Sequence, residues 1–246
     1  MKLIEIKLEK DIINKNVAVA ELGDAYNFYV FMAKPSKFIS TKWNKSLAYA
    51  IGLFTADGCL YSDRRHLEFN SKDKEQVKNF RKCLNLDNKI TKKARSNEKI
   101  KKYYRVQFGD VLFYKFLESI GLKSRKSKLL QKLKIPKVFF PDFLRGLFDG
   151  DGTFGAFKHP ESQYPQLRLR FASASPRFIR WLHQEIKKEI GTKGFISNRV
   201  RVENLVFGIN DTLKILNYMY YSPNVVCLSR KFLKAKPYFK RTWPNW

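Results

Sequence analysis

Two stretches of strict alternation stand out along the chain. Over His66–Asn70, Leu67 and Phe69 take one face while His66, Glu68 and Asn70 take the other. Over Gln166–Ser173, Leu167, Leu169 and Phe171 oppose Gln166, Arg168 and Arg170. Period-two patterning predicts half-buried strands. Further strands are expected over about Lys89–Ala94, Tyr103–Phe108, Phe195–Val202 and Leu205–Ile209, with hairpins opening after Gly58 and at Phe154–Ala156. Helices interleave with them. Asn44 or Ser46 can cap the first, Asp73–Gln76 reads as a capping box for one running through Leu84, and Asp110–Ile120 is closed by Gly121. Ser175-Pro176 opens a helix to Ile190, closed by Gly191, and another starts near Asp211. Helices alternating with hairpins, not with single crossover strands, indicate an α+β fold with antiparallel sheets.

The same order occurs twice. Leu47–Leu60 (LAYAIGLFTADGCL) aligns with a second apolar run, Phe143–Phe154 (FLRGLFDGDGTF), pairing Gly52 with Gly146 and Asp57 with Asp151. LEFNS at 67–71 matches LRFAS at 169–173, Asp110-Val-Leu matches Asp211-Thr-Leu, and Ser124-Arg-Lys matches Ser229-Arg-Lys. Matched segments in one order mark an internal duplication. The expected organisation is an extension over 1–40, a first half over 41–135 and a second over 136–246.

Small residues recur on one face of each apolar helix: Ala48, Gly52 and Ala56 in the first, Gly146 and Gly150 in the second. Such stripes let two backbones approach closely. Glycine inside a helix costs about 1 kcal/mol relative to alanine, so its use in both copies points to packing. Helices packed on Ala48, Gly52 and Gly146 would bring their C-terminal acids, Asp57 and Asp151, together. Neighbouring carboxylates repel unless a cation lies between them, and oxygen-only ligation by few carboxylates suits Mg²⁺. Asp149 is a second acid in the later copy, and its counterpart is Thr55; such an asymmetric acid is expected at the surface or at a cap.

Charge narrows the partner. The 246 residues carry 49 Lys+Arg against 22 Asp+Glu, a formal net charge of +27. The basic residues are spread over strands and loops, a distribution that favours nucleic acid over a membrane surface. The outward strand set holds Glu68, Asn70, Arg105, Gln107, Arg168, Arg170, Arg199 and Arg201, all residue types that can read base edges in the major groove. No apolar run approaches the roughly 20 residues of a membrane span. Three unspaced cysteines suggest reduced thiols, and an intracellular protein is expected.

The pair AIGLFTADG (Ala50–Gly58) and LRGLFDGDG (Leu144–Gly152) resembles the motifs of the LAGLIDADG homing endonucleases in their single-chain, two-motif form, and the likeness extends over about residues 41–240. The resemblance implies a pseudo-twofold αββαββα duplication whose antiparallel sheets form a DNA-binding saddle. It also implies divalent-metal-dependent cleavage of both strands of a long duplex target. Asp57 and Asp151 would bind the metal with help from the Ala56 and Gly150 carbonyls, with Mg²⁺ as cofactor and Mn²⁺ or Ca²⁺ able to replace it for binding. Lys126 and Lys231 would be the basic residues near the active site. Asp73 and Ser175 fall near positions where many relatives hold a water, although both also suit N-caps. Double-stranded DNA is the expected partner and a monomer the expected state. A non-cleaving DNA-binding regulator and an intron-splicing maturase that binds intron RNA are the alternative readings.

Overall fold

The computed structural model describes residues 38–94, 100–124, 129–158, 160–161, 166–198 and 200–238. The described residues, from Phe38 to Tyr238, belong to one compact unit. Its first half runs α1 (Lys45–Asp57), β1 (Gly58–Leu60), β2 (His66–Ser71), α2 (Lys74–Cys83), β3 (Thr91–Lys93), β4 (Tyr103–Gly109) and α3 (Val111–Ser119). The second repeats the order as α4 (Phe140–Asp151), β5 (Gly152–Phe157), β6 (Gln166–Ser173), α5 (Pro176–Ile190), β7 (Phe195–Asn198), β8 (Glu203–Phe207) and α6 (Ile209–Met219), followed by a short α7 (Ser229–Ala235). Each half folds its strands into an antiparallel sheet of equivalent order, β1-β2-β4-β3 and β5-β6-β8-β7. The expected duplicated α+β architecture is therefore the one observed.

The two motif helices meet where the small residues lie. A Cβ placed on Gly52 would overlap the Phe143 carbonyl oxygen and come within 2.7 Å of the Leu147 nitrogen and 2.9 Å of the Gly146 Cα. One placed on Gly146 would overlap the Tyr49 carbonyl oxygen and lie 3.0 Å from the Leu53 nitrogen. The obstacles are backbone atoms that no rotamer change can move, so only glycine fits. Ala48 is fully buried on the same helix. Around this seam Leu53, Phe54, Phe143, Leu144 and Phe148 join the inward residues of both sheets in one core, which removes a large apolar area from water.

Gly58 and Gly152 follow the two motif acids for a different reason from a left-handed helix cap. Both have extended backbones, with φ of −81° and −74°. A Cβ on Gly58 would run into the Phe54 ring and lie 2.5 Å from that residue's carbonyl oxygen; one on Gly152 would meet Phe148 in the same way, 2.6 Å from its oxygen. Here glycine makes room for an aromatic ring one turn back.

Caps and boundaries depart from the sequence pattern at several points. Asn44, not Ser46, caps α1 by accepting from Leu47 N–H. Asp73 caps α2, but Gln76 reaches the cap through a relay: Asp73 N–H donates to Ser71 Oγ at 3.1 Å, and that hydroxyl donates to Gln76 Oε1 at 2.5 Å. Ser175 occupies the N-cap position of α5 without capping it, because its hydroxyl donates to the Leu130 carbonyl in the connector between halves. β7 stops at Asn198, short of Val202. α6 starts at Ile209, which leaves Asp211 inside the helix to accept from Lys193 and Gly194 N–H. Ile39 N–H donates to Asp110 Oδ2 at 2.9 Å, which ties the end of the expected extension to the first half. Residues 1–37 of that extension, Lys126 and Arg199 lie outside the described residues.

The tails of the two halves cross over in both directions. Leu130, beyond α3, meets Ser175 at the start of α5; Ser229 and Arg230, beyond α6, meet Glu75 and Asp73 at the start of α2, with Arg230 Nε 2.8 Å from Asp73 Oδ2. The two positions where relatives were expected to hold a water are thus the anchor points of the opposite half's tail.

Candidate active site and nucleic-acid interface

Asp57 ends α1 and Asp151 ends α4, so the packing of the two helices decides where their carboxylates lie. A Cβ on Gly150 would overlap that of Ala56 and lie 3.8 Å from Asp57 Oδ2. The carboxylate of one motif therefore sits beside the residue preceding the acid of the other. Both helix C-termini converge there, and their partial negative charge adds to that of the acids. Asp57 is half-buried, and Asp151 is exposed at a cleft of about 610 Å³ that Thr153, Arg230, Lys231 and Lys234 also line. Among the described residues no three His, Cys, Asp or Glu side chains cluster around a metal position. The oxygen donors expected from the sequence are the two motif carboxylates and the Ala56 and Gly150 carbonyls, and the Gly150 carbonyl also accepts from Lys231 Nζ at 3.3 Å. An all-oxygen set that leaves most coordination to water and phosphate suits Mg²⁺.

Lys231 enters this site from α7 as a cap. Its Nζ lies 2.5 Å from the Phe148 carbonyl oxygen, 2.9 Å from that of Asp149, 3.3 Å from Gly150 and 2.6 Å from Gly152. They are carbonyls of the last turn of α4 and of Gly152 just beyond it; the Phe148 oxygen also accepts from the Gly152 N–H, and a cation there opposes the helix dipole. Burial lowers the Lys231 pKa to about 8, against the pull of Asp149, Asp151 and Asp57 toward the charged form.

Asp149 is the residue that sequence reasoning set aside. It is buried in the helix seam, where Oδ2 accepts from Tyr49 Oη at 2.7 Å and from Leu228 N–H at 2.8 Å. Burial pushes its pKa up to about 6, opposed by the Tyr49 hydrogen bond. It thereby fastens α4 both to α1 and to the segment that carries Lys231. One signal was available: Asp149 lies three residues after Gly146, on the stripe that must face α1. Arg145, next to Gly146, is also buried; it donates to the Met219 and Val226 carbonyls at 2.7 and 2.8 Å and to Asp142 Oδ1 at 2.5 Å.

The outer faces of the two sheets carry the expected base readers in different settings. In the first sheet Asn70 pairs with Arg105 and Glu68 with Gln107. Gln107 is exposed, and Asn70 and Arg105 are half-buried. Glu68, expected to face outward as a base reader, is only 1% exposed. It is covered by Lys93, Arg105 and Tyr61, all of which bond its carboxylate. Its geometry is that of an anchor for two cationic side chains. In the second sheet Arg168 and Arg170 are both exposed, and Arg201 is exposed beyond β7.

The LAGLIDADG-like domain matches residues 44–121. No curated protein matches the sequence. In fold the chain is similar to the homing endonuclease I-WcaI bound to its DNA recognition sequence, at 13% identity and a TM-score of 0.55 over 85% of this chain and 93% of that one. It is similar to the I-LtrWI LAGLIDADG homing endonuclease bound to target DNA, at 12% identity and 0.52 over 77% and 87%. It is also similar to full-length DUF199/WhiA from Thermatoga maritima, at 17% identity and 0.52 over 81% of this chain, which spans 61% of that protein's length. With this match, two acid-ended helices packed on glycine and a duplicated αββαββα order, the chain has the LAGLIDADG homing endonuclease fold in its single-chain, two-motif form.

Proposed function

We propose that this chain is a site-specific, divalent-metal-dependent DNA endonuclease, acting as a monomer on a long duplex target. The observation that carries the reading is the approach of Asp57 to Gly150 at the junction of the two motif helices. It sets the Asp57 carboxylate beside the residue that precedes Asp151, in a chain of net charge +27. Asp57, Asp151 and the carbonyls of Ala56 and Gly150 would hold Mg²⁺. Bound there, the ion would polarise the scissile phosphates, generate the attacking hydroxide and stabilise the leaving oxygens.

The protein's own groups prepare that position. Glycine at the seam brings the acids together, while Asp149 and Lys231 hold the end of α4 in place so that Asp151 projects into the cleft. Arg230 and Lys234 line the same cleft and would draw a phosphate into it. The sheets would lie along the major groove on either side, with Arg168, Arg170, Gln107 and Asn70 toward base edges.

The test is a randomised duplex pool offered to the protein with Ca²⁺, from which bound sequences are recovered and then exposed to Mg²⁺. The expected result is enrichment of one long sequence that both ions allow to bind and that Mg²⁺ allows to be cut in both strands. Enriched duplex that stays intact in Mg²⁺ and in Mn²⁺ would leave a non-cleaving DNA-binding protein. Displacement of duplex by a structured intron RNA at lower concentration would favour the maturase reading.

A further inference from the structure

The pseudo-twofold relation makes the outer faces of the two sheets comparable position by position, and they differ in chemistry. LEFNS at 67–71 corresponds to LRFAS at 169–173, so Glu68 corresponds to Arg170 and Asn70 to Ala172. In the first sheet the row through Glu68 runs Cys59, Glu68, Gln107; the next runs Asn70, Arg105, Thr91. Apart from Cys59 these are hydrogen-bonding side chains. In the second sheet the row through Arg170 runs Thr153, Arg170, Val206, Phe195. Directly paired residues in antiparallel strands share a face. Phe195 and Val206 therefore lie on the same outer surface as Arg170, opposite the buried Leu169, Phe171, Leu205 and Phe207.

Phe195 is 56% exposed, although Val206 paired with it across the strands is buried. One strand-edge further, the exposed Phe157 carries the Arg168 guanidinium over its ring at 5.1 Å. An apolar ring on a basic sheet surface offers a contact for an apolar group of a polyanionic partner. A ring and a valine are far smaller than the roughly 800 Å² per side that a stable protein partner covers. They match a small apolar group that lies among phosphates and hydrogen-bonding edges. In the major groove the one such group is the C5-methyl of thymine.

Building on the DNA-binding reading above, we propose that Phe195, backed by Val206, contacts a pyrimidine C5-methyl, so that the half-site under the second sheet is read partly through thymine methyl groups and the half-site under the first through hydrogen bonds. The two half-sites then differ in base composition as well as in sequence. Cytosine methylated at C5 would satisfy the same contact wherever the base edge is not otherwise read.

Replacing thymine by deoxyuridine removes the methyl and leaves every donor and acceptor in place, so it isolates the proposed contact. The sequence enriched from a randomised pool is synthesised with deoxyuridine in one half at a time and titrated in Ca²⁺. Substitution in one half is expected to weaken binding about fourfold for each methyl contacted, the scale of burying one carbon. The other half is expected to be indifferent. In Phe195→Ser the sensitive half loses its preference for thymine, while Gln107→Ala leaves that preference intact. Equal binding of thymine and deoxyuridine duplexes in both halves would overturn the methyl contact while DNA recognition stood. A penalty that persists in Phe195→Ser would also overturn it. If no sequence is enriched from the pool, site-specific recognition fails first, and the methyl contact falls with it.

Discussion

Buried polar residues do more at this seam than their number suggests. Asp149 accepts from Tyr49 and from the Leu228 amide, so Asp149→Ala orphans two buried donors at about 1–3 kcal/mol each. Asp149→Asn keeps an acceptor with two lone pairs and should lose less. Chemical denaturation of the three proteins checks the order. Arg145 is the second such residue: Arg145→Met removes the donors to Met219 and Val226 and strips Asp142 of its cation. Breaking a buried pair in this way should cost about 3–5 kcal/mol, read from the same curves. The cysteines give a milder test. Burial pushes the Cys83 thiol up to about 11 and the Cys227 thiol up to about 12, whereas Cys59 is exposed. Iodoacetamide at pH 8 should therefore label Cys59 first, since the thiolate is the nucleophile. Cys59 shares a row with Glu68 and Gln107 on the outer face of the first sheet, so bound DNA should shield it. Labelling at equal rate with and without DNA would place the duplex elsewhere.

Among the elements, the motif helices were the most legible and their glycines the most informative. The stripe Ala48, Gly52, Gly146 could be seen in the sequence because close helix packing demands a repeated small residue on one face. Gly52→Ala and Gly146→Ala should each force two backbones apart, with loss of about 1–3 kcal/mol or more and a lowered melting temperature. Unchanged melting in both would mean the helices do not meet there. The strands of the two central hairpins were legible for a similar reason, since LEFNS and LRFAS alternate strictly. The rest was hidden by tertiary preference. Ser175 and Asp211 have the chemistry of caps, yet the connector and the Lys193–Gly194 turn claim their side chains. Glu68 has the alternation of an outward reader, but strand pairing cannot reveal that Lys93 and Arg105 would close over it. Lys231 was legible only as a basic residue in a repeated Ser-Arg-Lys; its position on the α4 carbonyls depends on how α7 docks.

At the scale of the whole molecule, two halves that share a helix seam and exchange connectors leave no unpartnered motif helix, which is why a monomer is expected in sedimentation. A duplex held across both sheets should release counterions in proportion to its phosphate contacts. For 6–10 contacts, affinity should drop by about 10³–10⁵ between 50 and 200 mM salt. The central claim is that Asp57 and Asp151 hold the catalytic metal without being needed for fold or DNA affinity. Asparagine keeps the size of each side chain and removes its charge beside the phosphates, so binding should hold or tighten. The direct measurement is cleavage of a supercoiled plasmid carrying the enriched site by Asp57→Asn/Asp151→Asn in Mg²⁺, with a gel shift on the same duplex. The account predicts a wild-type or stronger shift and loss of linear product; linearisation at the wild-type rate would contradict it.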